Sequence, residues 1–368
     1  MTTAVVRALG ALAHEAAHAR SGPRCACPAP AVLADRSDGT VVRCGPVVAK
    51  AHAAGTDTAA LSVRLGLAAD PGLAGILLTP LVVQPAAGPA VSGAASPYLT
   101  ELHGRPVTLW PHGEPVDPGD PDTAPWEEAA VLLARLHRAR PVPCQPGPGP
   151  GPGPGPGPGP GPGPGPGPGS GAPDVRATPL VLPAMRGPAK AALAVARMRA
   201  ARPGDPATAP VLAAWRGLPP WVRDEAPAPA HRAPALCHGD LHLGQLVRHP
   251  APHGAWLLID VDDSGPGDPA WDLARPAAWY AAGLLPPEVW FRFLGAYRAA
   301  GGPAVRADGD PWPELDLAAR ALTVQTAALA LAKSAAERRV PDEVEQVMID
   351  ACARIAALPP ELAADHSS

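Results

Sequence analysis

Carboxylate, amide and imidazole side chains are concentrated between residues 236 and 263, beside two apolar runs. His238, Asp240 and Gln245 follow the first run, and Asp260 ends the second. Carboxylate and amide oxygens are the hard ligands that suit Mg²⁺. The stretch therefore predicts a metal–nucleotide site that is carried by a hairpin.

Two short strands are needed to bring these groups together. Leu246-Val247 has strand character, residues 250–254 have the composition of a turn, and Trp256–Ile259 forms a second apolar run. A hairpin over these residues places Asp260 at the same end as the loop that carries Asp240. The expected arrangement is Asp240, a carboxylate with no required metal contact, next to the hard-oxygen pair of Gln245 and Asp260.

A second β-rich region begins near residue 32. The Asp-Gly step in Ser37-Asp38-Gly39 separates two β-rich runs and predicts a hairpin between residues 32–36 and 40–44. A third strand over residues 47–52 carries Lys50. Lys50 is either a solvated lysine on an edge strand or an ammonium group placed over phosphates.

Apolar spacing predicts the other elements. Helices are expected over residues 3–20, 56–69, 125–138, 189–202, 207–216, 269–284, 287–300, 314–339 and 342–358, and strands over 76–83, 98–103 and 107–110. Thr56 or Asp57 is expected near the N-cap of the second helix. The aromatic residues of the C-terminal half are expected in the core: Trp271, Trp279, Trp290, Phe291, Phe293 and Tyr297.

Residues 146–169 repeat Pro-Gly twelve times and contain no apolar side chain that could be buried in a core. They are predicted to be a disordered insertion within one lobe. The predicted organisation is an N-lobe over residues 1–110, a hinge and first C-lobe helix over 111–145, the insertion, a C-lobe over 170–358 and a tail over 359–368.

Composition excludes several classes of function. The net charge is −4, so nothing favours a nucleic-acid partner. The N-terminus lacks a basic stretch leading into a long apolar run, and no run approaches the roughly 20 apolar residues that span a bilayer. The six cysteines are scattered and are expected to be free thiols. A cytoplasmic protein without a membrane partner is predicted, and its oligomeric state stays open.

The segment His238-Gly239-Asp240, followed by an amide at Gln245 and an apolar strand ending in Asp260, resembles the catalytic loop of the aminoglycoside phosphotransferase-like superfamily of small-molecule kinases. Residues 267–274, Gly-Asp-Pro-Ala-Trp-Asp-Leu-Ala, are similar to a further motif of that superfamily. The resemblance covers about residues 30–300. It implies an α+β, bilobal, protein-kinase-like fold with a small antiparallel-β N-lobe and a larger, mainly helical C-lobe.

The resemblance also implies roles for individual residues. Asp240 orients a substrate hydroxyl, Gln245 and Asp260 hold Mg²⁺ across the phosphates of ATP, and the phosphates lie against Lys50 and the hairpin tip. The residues assigned by the resemblance are Asp240 for catalysis, Gln245 and Asp260 for the metal, Lys50, Ser37, Asp38 and Gly39 for the nucleotide, and His238, Asp268, Asp272 and Asp57 in support.

Two positions depart from the superfamily. Gln245 stands where asparagine is usual, as in maltokinase-like members, and the helix after Lys50 lacks the glutamate that pairs with this lysine, so that Asp57 is its only substitute. The favoured function is an ATP-dependent kinase of a small metabolite: a sugar, an amino sugar, an amino alcohol or an aminoglycoside-like compound. The alternatives are a catalytically degenerate nucleotide-binding module and a metal-dependent hydrolase with His238, Asp240, His242 and Asp260 as ligands.

Overall fold

The β-rich runs near the N-terminus form a five-stranded antiparallel sheet in a computed structural model of the protein. The structure describes residues 2–21, 29–36, 39–83, 96–120, 123–140, 182–229 and 234–358. The strands are β1 (Ala31–Asp35), β2 (Gly39–Cys44), β3 (Val47–His52), β4 (Leu99–Leu102) and β5 (Arg105–Pro111), in the order β1-β2-β3-β5-β4. The predicted meander is confirmed, and its hairpin tip, Ser37-Asp38, lies outside the described residues.

Helix α1 (Thr2–Ser21) covers one face of this sheet and confirms the predicted leading helix. Ala49 and Ala51 of β3 are fully buried in the cluster that α1 helps to form. Successive side chains of a strand point to opposite faces. Lys50 therefore points away from α1, toward the helical lobe.

The segment over residues 76–83 was predicted to be a strand, and that prediction is wrong. Leu78 N donates to Leu258 O, and Leu81 N donates to Leu109 O, so the segment bonds to two different sheets in turn. Pro80 has no N–H and cannot continue a ladder between them. The extended segment instead connects the N-terminal sheet with the strands that carry the metal-ligand candidates.

Besides α1, the first lobe contains α2 (Thr58–Ala68). Helices dominate the second lobe, at the positions that apolar spacing predicted: α3 (Trp126–Arg138), α4 (Gly187–Ala201), α5 (Ala209–Arg216), α6 (Ala270–Ala282), α7 (Pro287–Ala299), α8 (Trp312–Ala336) and α9 (Glu343–Ala356). Short strands lie among them: β6 (Glu114–Pro115), β7 (Ala235–Cys237), β8 (Leu246–His249), β9 (Ala255–Leu258) and β10 (Gly265–Gly267). The predicted fold class, a small antiparallel sheet lobe and a larger helical lobe, is confirmed.

The core of the helical lobe forms around α8, which packs against α4, α6 and α9. Among the described helices, α8 alone has the length and apolar composition to cross a membrane, but 72% of its most apolar window is buried inside the protein. That burial is typical of a core helix. Trp290, Phe293 and Tyr297 lie in the core as expected, whereas Phe291 is 59% exposed, contrary to the prediction.

The lobe boundaries proposed from the sequence stay predictions. The Pro-Gly insertion at 146–169 and the tail at 359–368 lie outside the described residues.

The chain just before α4 lies directly against β10. A Cβ atom at Gly265 would overlap the carbonyl oxygen of Pro183, so this contact requires glycine. Gly265→Ala is therefore expected to lower the free energy of unfolding by about 1–3 kcal/mol, the usual effect of overpacking.

Gly295 in α7 provides the matched control, because a Cβ there meets nothing within 4 Å. Gly295→Ala is expected to leave stability unchanged or to raise it by up to about 1 kcal/mol, since alanine favours a helix. Urea unfolding of both variants measures the difference. Equal losses in the two variants would contradict the steric argument.

Candidate active site

The hairpin of β8 and β9 brings the two predicted metal ligands together. Leu246 pairs with Leu258, so Gln245 and Asp260 flank the same end of the hairpin. The amide nitrogen of Gln245 lies 3.2 Å from Asp260 Oδ2. The side chain of Asp260 is 34% exposed, so its oxygens remain accessible from solvent.

The loop after β7 places Asp240 next to this hairpin. Gly239 has a φ of +86°, and a Cβ there would overlap the carbonyl oxygen of Asp263. Glycine is needed for both reasons, because L side chains rarely adopt this conformation. β7 also pairs with β10 through Cys237 and Gly265. The loop of Asp240 and the loop of residues 260–264 therefore pack against each other.

Asp272 on α6 holds the backbone of the Asp240 loop. Its carboxylate accepts hydrogen bonds from His238 N (2.6 Å) and Gly239 N (2.7 Å), and it lies 2.9 Å from His137 Nε2. The residue is 1% exposed. Burial alone would raise the pKa of Asp272, but the hydrogen bond and charge of His137 and the other donors lower it. The buried carboxylate thus stays ionised and fixes the loop.

The network continues beyond Asp272. His137 Nδ1 lies 2.7 Å from the hydroxyl of Tyr297, which also accepts a hydrogen bond from Ala304 N. His137 thus links the Asp272 carboxylate to the Tyr297 hydroxyl. His238 adds a separate tie, since its Nε2 donates to Ile259 O at 2.7 Å. The loop is therefore tied to α3, α6, α7 and the end of β9.

Two cations contact Asp240 itself. Lys190 Nζ from α4 lies 2.7 Å from one carboxylate oxygen, and Arg275 Nη2 from α6 lies 2.8 Å from the other. Burial works to raise the pKa of Asp240, but Lys190 and Arg275 lower it below its usual value. His242, two residues later, has a pKa lowered to about 4 by burial and by Arg275, so its ring is neutral at pH 7.

Lys50 reaches the site from the N-terminal sheet. Its Nζ lies 2.6 Å from Asp260 Oδ1 and 2.8 Å from Asp262 Oδ2. Burial lowers the pKa of Lys50, but the two carboxylates outweigh it and raise the pKa above its ordinary value. His52 Nδ1 also lies 2.9 Å from Asp262. Lys50 and the metal-ligand candidate Asp260 are therefore in direct contact.

The prediction that Asp57 replaces the missing helix glutamate needs correction. Asp57 accepts hydrogen bonds from Ala59 N and Ala60 N and caps α2, whereas the carboxylates that contact Lys50 are Asp260 and Asp262. Asp57 precedes the first turn of the helix, where a capping carboxylate bonds to free N–H groups. The Asp57 carboxylate is therefore occupied by the N-terminus of α2.

Helix α2 contacts the Asp260–Ser264 loop through a basic residue, Arg64. Arg64 is 5% exposed, its Nε donates to Ser264 O at 2.7 Å, and its Nη2 donates to Ala184 O at 3.2 Å. Helix α2 thus fastens the backbone of this loop and does not pair with Lys50.

The other predicted residues are placed as follows. Gly39 begins β2, and its backbone exchanges hydrogen bonds with Arg36 across the hairpin. The hairpin tip, Ser37 and Asp38, lies outside the described residues. Asp268 accepts a hydrogen bond from Ala270 N at the start of α6.

Sequence reasoning missed three residues near Asp240 and its loop: Arg64, Lys190 and Arg275. Arg275 had a signal, because it follows Asp272 by three residues and shares its helix face. For Lys190 the signal was composition, because the chain contains only three lysines, at positions 50, 190 and 333.

The geometry does not support a metal-dependent hydrolase. In the part of the chain that the structure describes, one group of three side chains brings potential ligand atoms within 4.8 Å of one another: His137, Cys237 and Asp272. All three are buried, and Asp272 is already bonded to the backbone of the Asp240 loop. The set predicted for that function, which included His242, is not such a group.

A cavity of about 200 Å³ lies against the same loop. Trp126 of α3 and Trp279 of α6 form two of its walls, and His242 and Arg275 border it. It is smaller than the roughly 300–1,000 Å³ of a typical ligand pocket.

Comparison with known proteins gives consistent matches. The model of the phosphotransferase enzyme family matches residues 67–317. A choline/ethanolamine kinase family protein from Mesorhizobium loti has 16% identity and a TM-score of 0.52 over 100% of both chains. A thermostable mutant of aminoglycoside phosphotransferase APH(4)-Ia has 12% identity and a TM-score of 0.53 over 94% of this chain and 100% of that one. A thermostable mutant of the same phosphotransferase, in ternary complex with AMP-PNP and hygromycin B, has 13% identity and a TM-score of 0.52 over 90% of this chain and 95% of that one. At these identities the structural likeness shows the fold.

Proposed function

The chain belongs to the phosphotransferase enzyme family, and we propose that it moves the γ-phosphate of ATP to a hydroxyl group of a small metabolite. One observation carries this proposal. Lys50 from the sheet lobe contacts Asp260, Gln245 contacts the same carboxylate, and Lys190 links Asp240 to Asp263 in the loop that follows Asp260. These are the groups that phosphoryl transfer needs for positioning and charge neutralisation. A similar fold holding AMP-PNP, an ATP analogue, is further support.

Gln245 and Asp260 fit Mg²⁺, because the Gln245 amide contacts the accessible Asp260 carboxylate, and rotation of that amide would place its oxygen beside the carboxylate. Mg²⁺ is commonly bound by one or two protein oxygens together with substrate phosphates and water. When bound, the ion would neutralise charge on the phosphate oxygens. Lys50 contacts the same carboxylate and would lie against the α- and β-phosphates.

Asp240 would orient the acceptor hydroxyl and receive its proton. Lys190 and Arg275 keep this carboxylate ionised, which makes it ready to accept a proton but a weak base. A weak base suits this reaction, since in a loose transition state the hydroxyl loses its proton late. The cavity at Trp126 and Trp279 offers space for part of the acceptor.

The test is ADP release by the full-length protein with Mg-ATP and a panel of sugars, amino sugars, amino alcohols and aminoglycosides. We expect turnover with at least one acceptor class, and we expect Asp240→Ala to abolish it. Mg-ATP binding without turnover on any compound, unaltered by Asp240→Ala, would instead indicate the degenerate nucleotide-binding module.

Gln245 provides a separate prediction about the metal. Gln245→Ala is expected to raise the Mg²⁺ concentration for half-maximal ATP consumption by about 10-fold or more, because one oxygen ligand is lost. Gln245→Asn should stay nearer to the parent, since it keeps an amide oxygen. Gln346→Ala on the exposed face of α9 is the matched control. An unchanged Mg²⁺ requirement in Gln245→Ala would exclude this side chain as a ligand.

A further inference from the structure

Lys190 lies between two carboxylates at the reacting centre. Its Nζ is 2.7 Å from Asp240 Oδ2 and 2.7 Å from Asp263 Oδ2. The chain has 30 basic lysine and arginine residues, of which only three are lysines. Two of those three, Lys50 and Lys190, lie at the candidate site. A lysine supplies a compact charge with rotating donors, which arginine does not.

Backbone hydrogen bonds fix the start of α4 against the loop of Asp263. Arg186 N donates to Asp263 O, and Met185 N donates to Pro266 O. Arg64 of α2 donates to Ala184 O from the other side. These bonds do not depend on the charge of Lys190. The fold itself therefore delivers this side chain to Asp240.

The ammonium group of Lys190 has a donor to spare. Nζ carries three N–H bonds, and the two carboxylates take two of them. The side chain is 22% exposed, so the third N–H can reach a ligand bound at the candidate site. Arg275 differs, because its Nε donates to the main-chain oxygen of Leu241 and its Nη2 to Asp240. Arg275 thus ties the loop backbone, whereas Lys190 binds only side-chain oxygens.

Resting on the proposed function, we propose that Lys190 is a further catalytic residue that donates its third N–H to an oxygen of the transferring γ-phosphoryl group. The bond between the γ-phosphorus and the β-phosphate oxygen breaks as the acceptor oxygen bonds to phosphorus. The hydroxyl proton goes to Asp240, ADP leaves, and Lys190 keeps its proton throughout. Lys190 thereby neutralises charge on the acceptor side, while Gln245 and Asp260 act on the nucleotide side.

The first test compares Lys190→Met with Lys190→Arg in steady-state kinetics. Lys190→Met is expected to lower kcat by about 10²–10³-fold, the usual loss of a donor aimed at developing charge. The KM for ATP should change less than about threefold, and Lys190→Arg should restore part of kcat. Lys333→Met, at an exposed position in α8, should match the parent. A kcat for Lys190→Met within about threefold of the parent would overturn the proposal.

The pH profile adds a readout that a merely structural residue would not move. The charged or titratable groups that face Asp240 are Lys190 from α4, Arg275 from α6 and His242 from its own loop. Without Lys190, the carboxylate binds a proton more readily. The acid limb of kcat/KM should therefore move to higher pH in Lys190→Met, and an unmoved limb would count against direct contact.

Binding of ADP with Mg²⁺ and aluminium fluoride tests the proposal without any acceptor. The parent should bind this mimic of the transferring group more tightly than Mg-ADP alone, by calorimetry. In Lys190→Met, the ratio of the affinity for the mimic to the affinity for Mg-ADP should fall by at least about tenfold, while the affinity for Mg-ADP itself stays unchanged. Retention of the gain would overturn the role of Lys190 and leave the proposed function intact. A parent that binds neither nucleotide nor mimic would refute both.

Discussion

Replacing Asp240 with asparagine is expected to lower kcat by about 10²–10⁴-fold, the range for loss of a positioned proton acceptor. The amide keeps the size of the side chain but cannot take up the hydroxyl proton. Affinity for Mg-ATP should change less than about threefold, because the predicted metal ligands are Gln245 and Asp260. Single-turnover kinetics and calorimetry together separate the two effects.

The matched control for this change is Asp350→Asn, at an exposed position in α9, which should leave kcat unchanged. The pH dependence supplies a second check. Lys190 and Arg275 hold the pKa of Asp240 below its usual value, so parent activity should persist to a pH below the ordinary titration of aspartate. Asp240→Asn activity above about one tenth of the parent would contradict the role given to this carboxylate.

Replacing Asp272 with asparagine is expected to destabilise the fold by about 3–5 kcal/mol, as when one partner of a buried ionic network is lost. The amide would turn its NH₂ group toward the N–H of either His238 or Gly239, because these two groups now donate to different oxygens of the carboxylate. The catalytic loop should lose its anchor, so kcat should fall together with stability. Urea unfolding at pH 7 measures the first effect.

The pH dependence of this loss has a defined sign. The pKa of Asp272 is lowered in the folded state, so its stabilisation is present above the unfolded-state pKa and is lost as pH falls through the folded pKa. The difference between the parent and Asp272→Asn should therefore shrink in acid. Asp310→Asn alters an exposed carboxylate that accepts a hydrogen bond from Trp312 N, and it should cost less than about 0.5 kcal/mol, because the amide oxygen still accepts this bond. A comparable loss in both variants would refute the anchoring role.

The sequence by itself determined the local half of the site. Gln245 and Asp260 lie at the open end of a short hairpin, on its two strands, and the pairing of the strands makes them neighbours without help from distant elements. Lys50 was assigned to the third strand for the same reason. The helices of the second lobe followed from apolar spacing, because each needs one face buried. The Asp-Gly turn likewise specified the first hairpin, although its tip lies outside the described residues.

Only the tertiary structure decided which charges meet. Lys50 and Asp260 are 210 residues apart, and Lys190 and Asp263 are 73 apart, so no local periodicity relates them. A charged residue on an amphipathic helix usually indicates a solvated face, and the helix pattern alone does not show which groups Lys190, Arg275 and Arg64 contact. The same limit applies to Asp57, whose capping role competes with an ion pair. Side-chain partners across a cleft depend on how the lobes pack, and packing is a property of the whole fold.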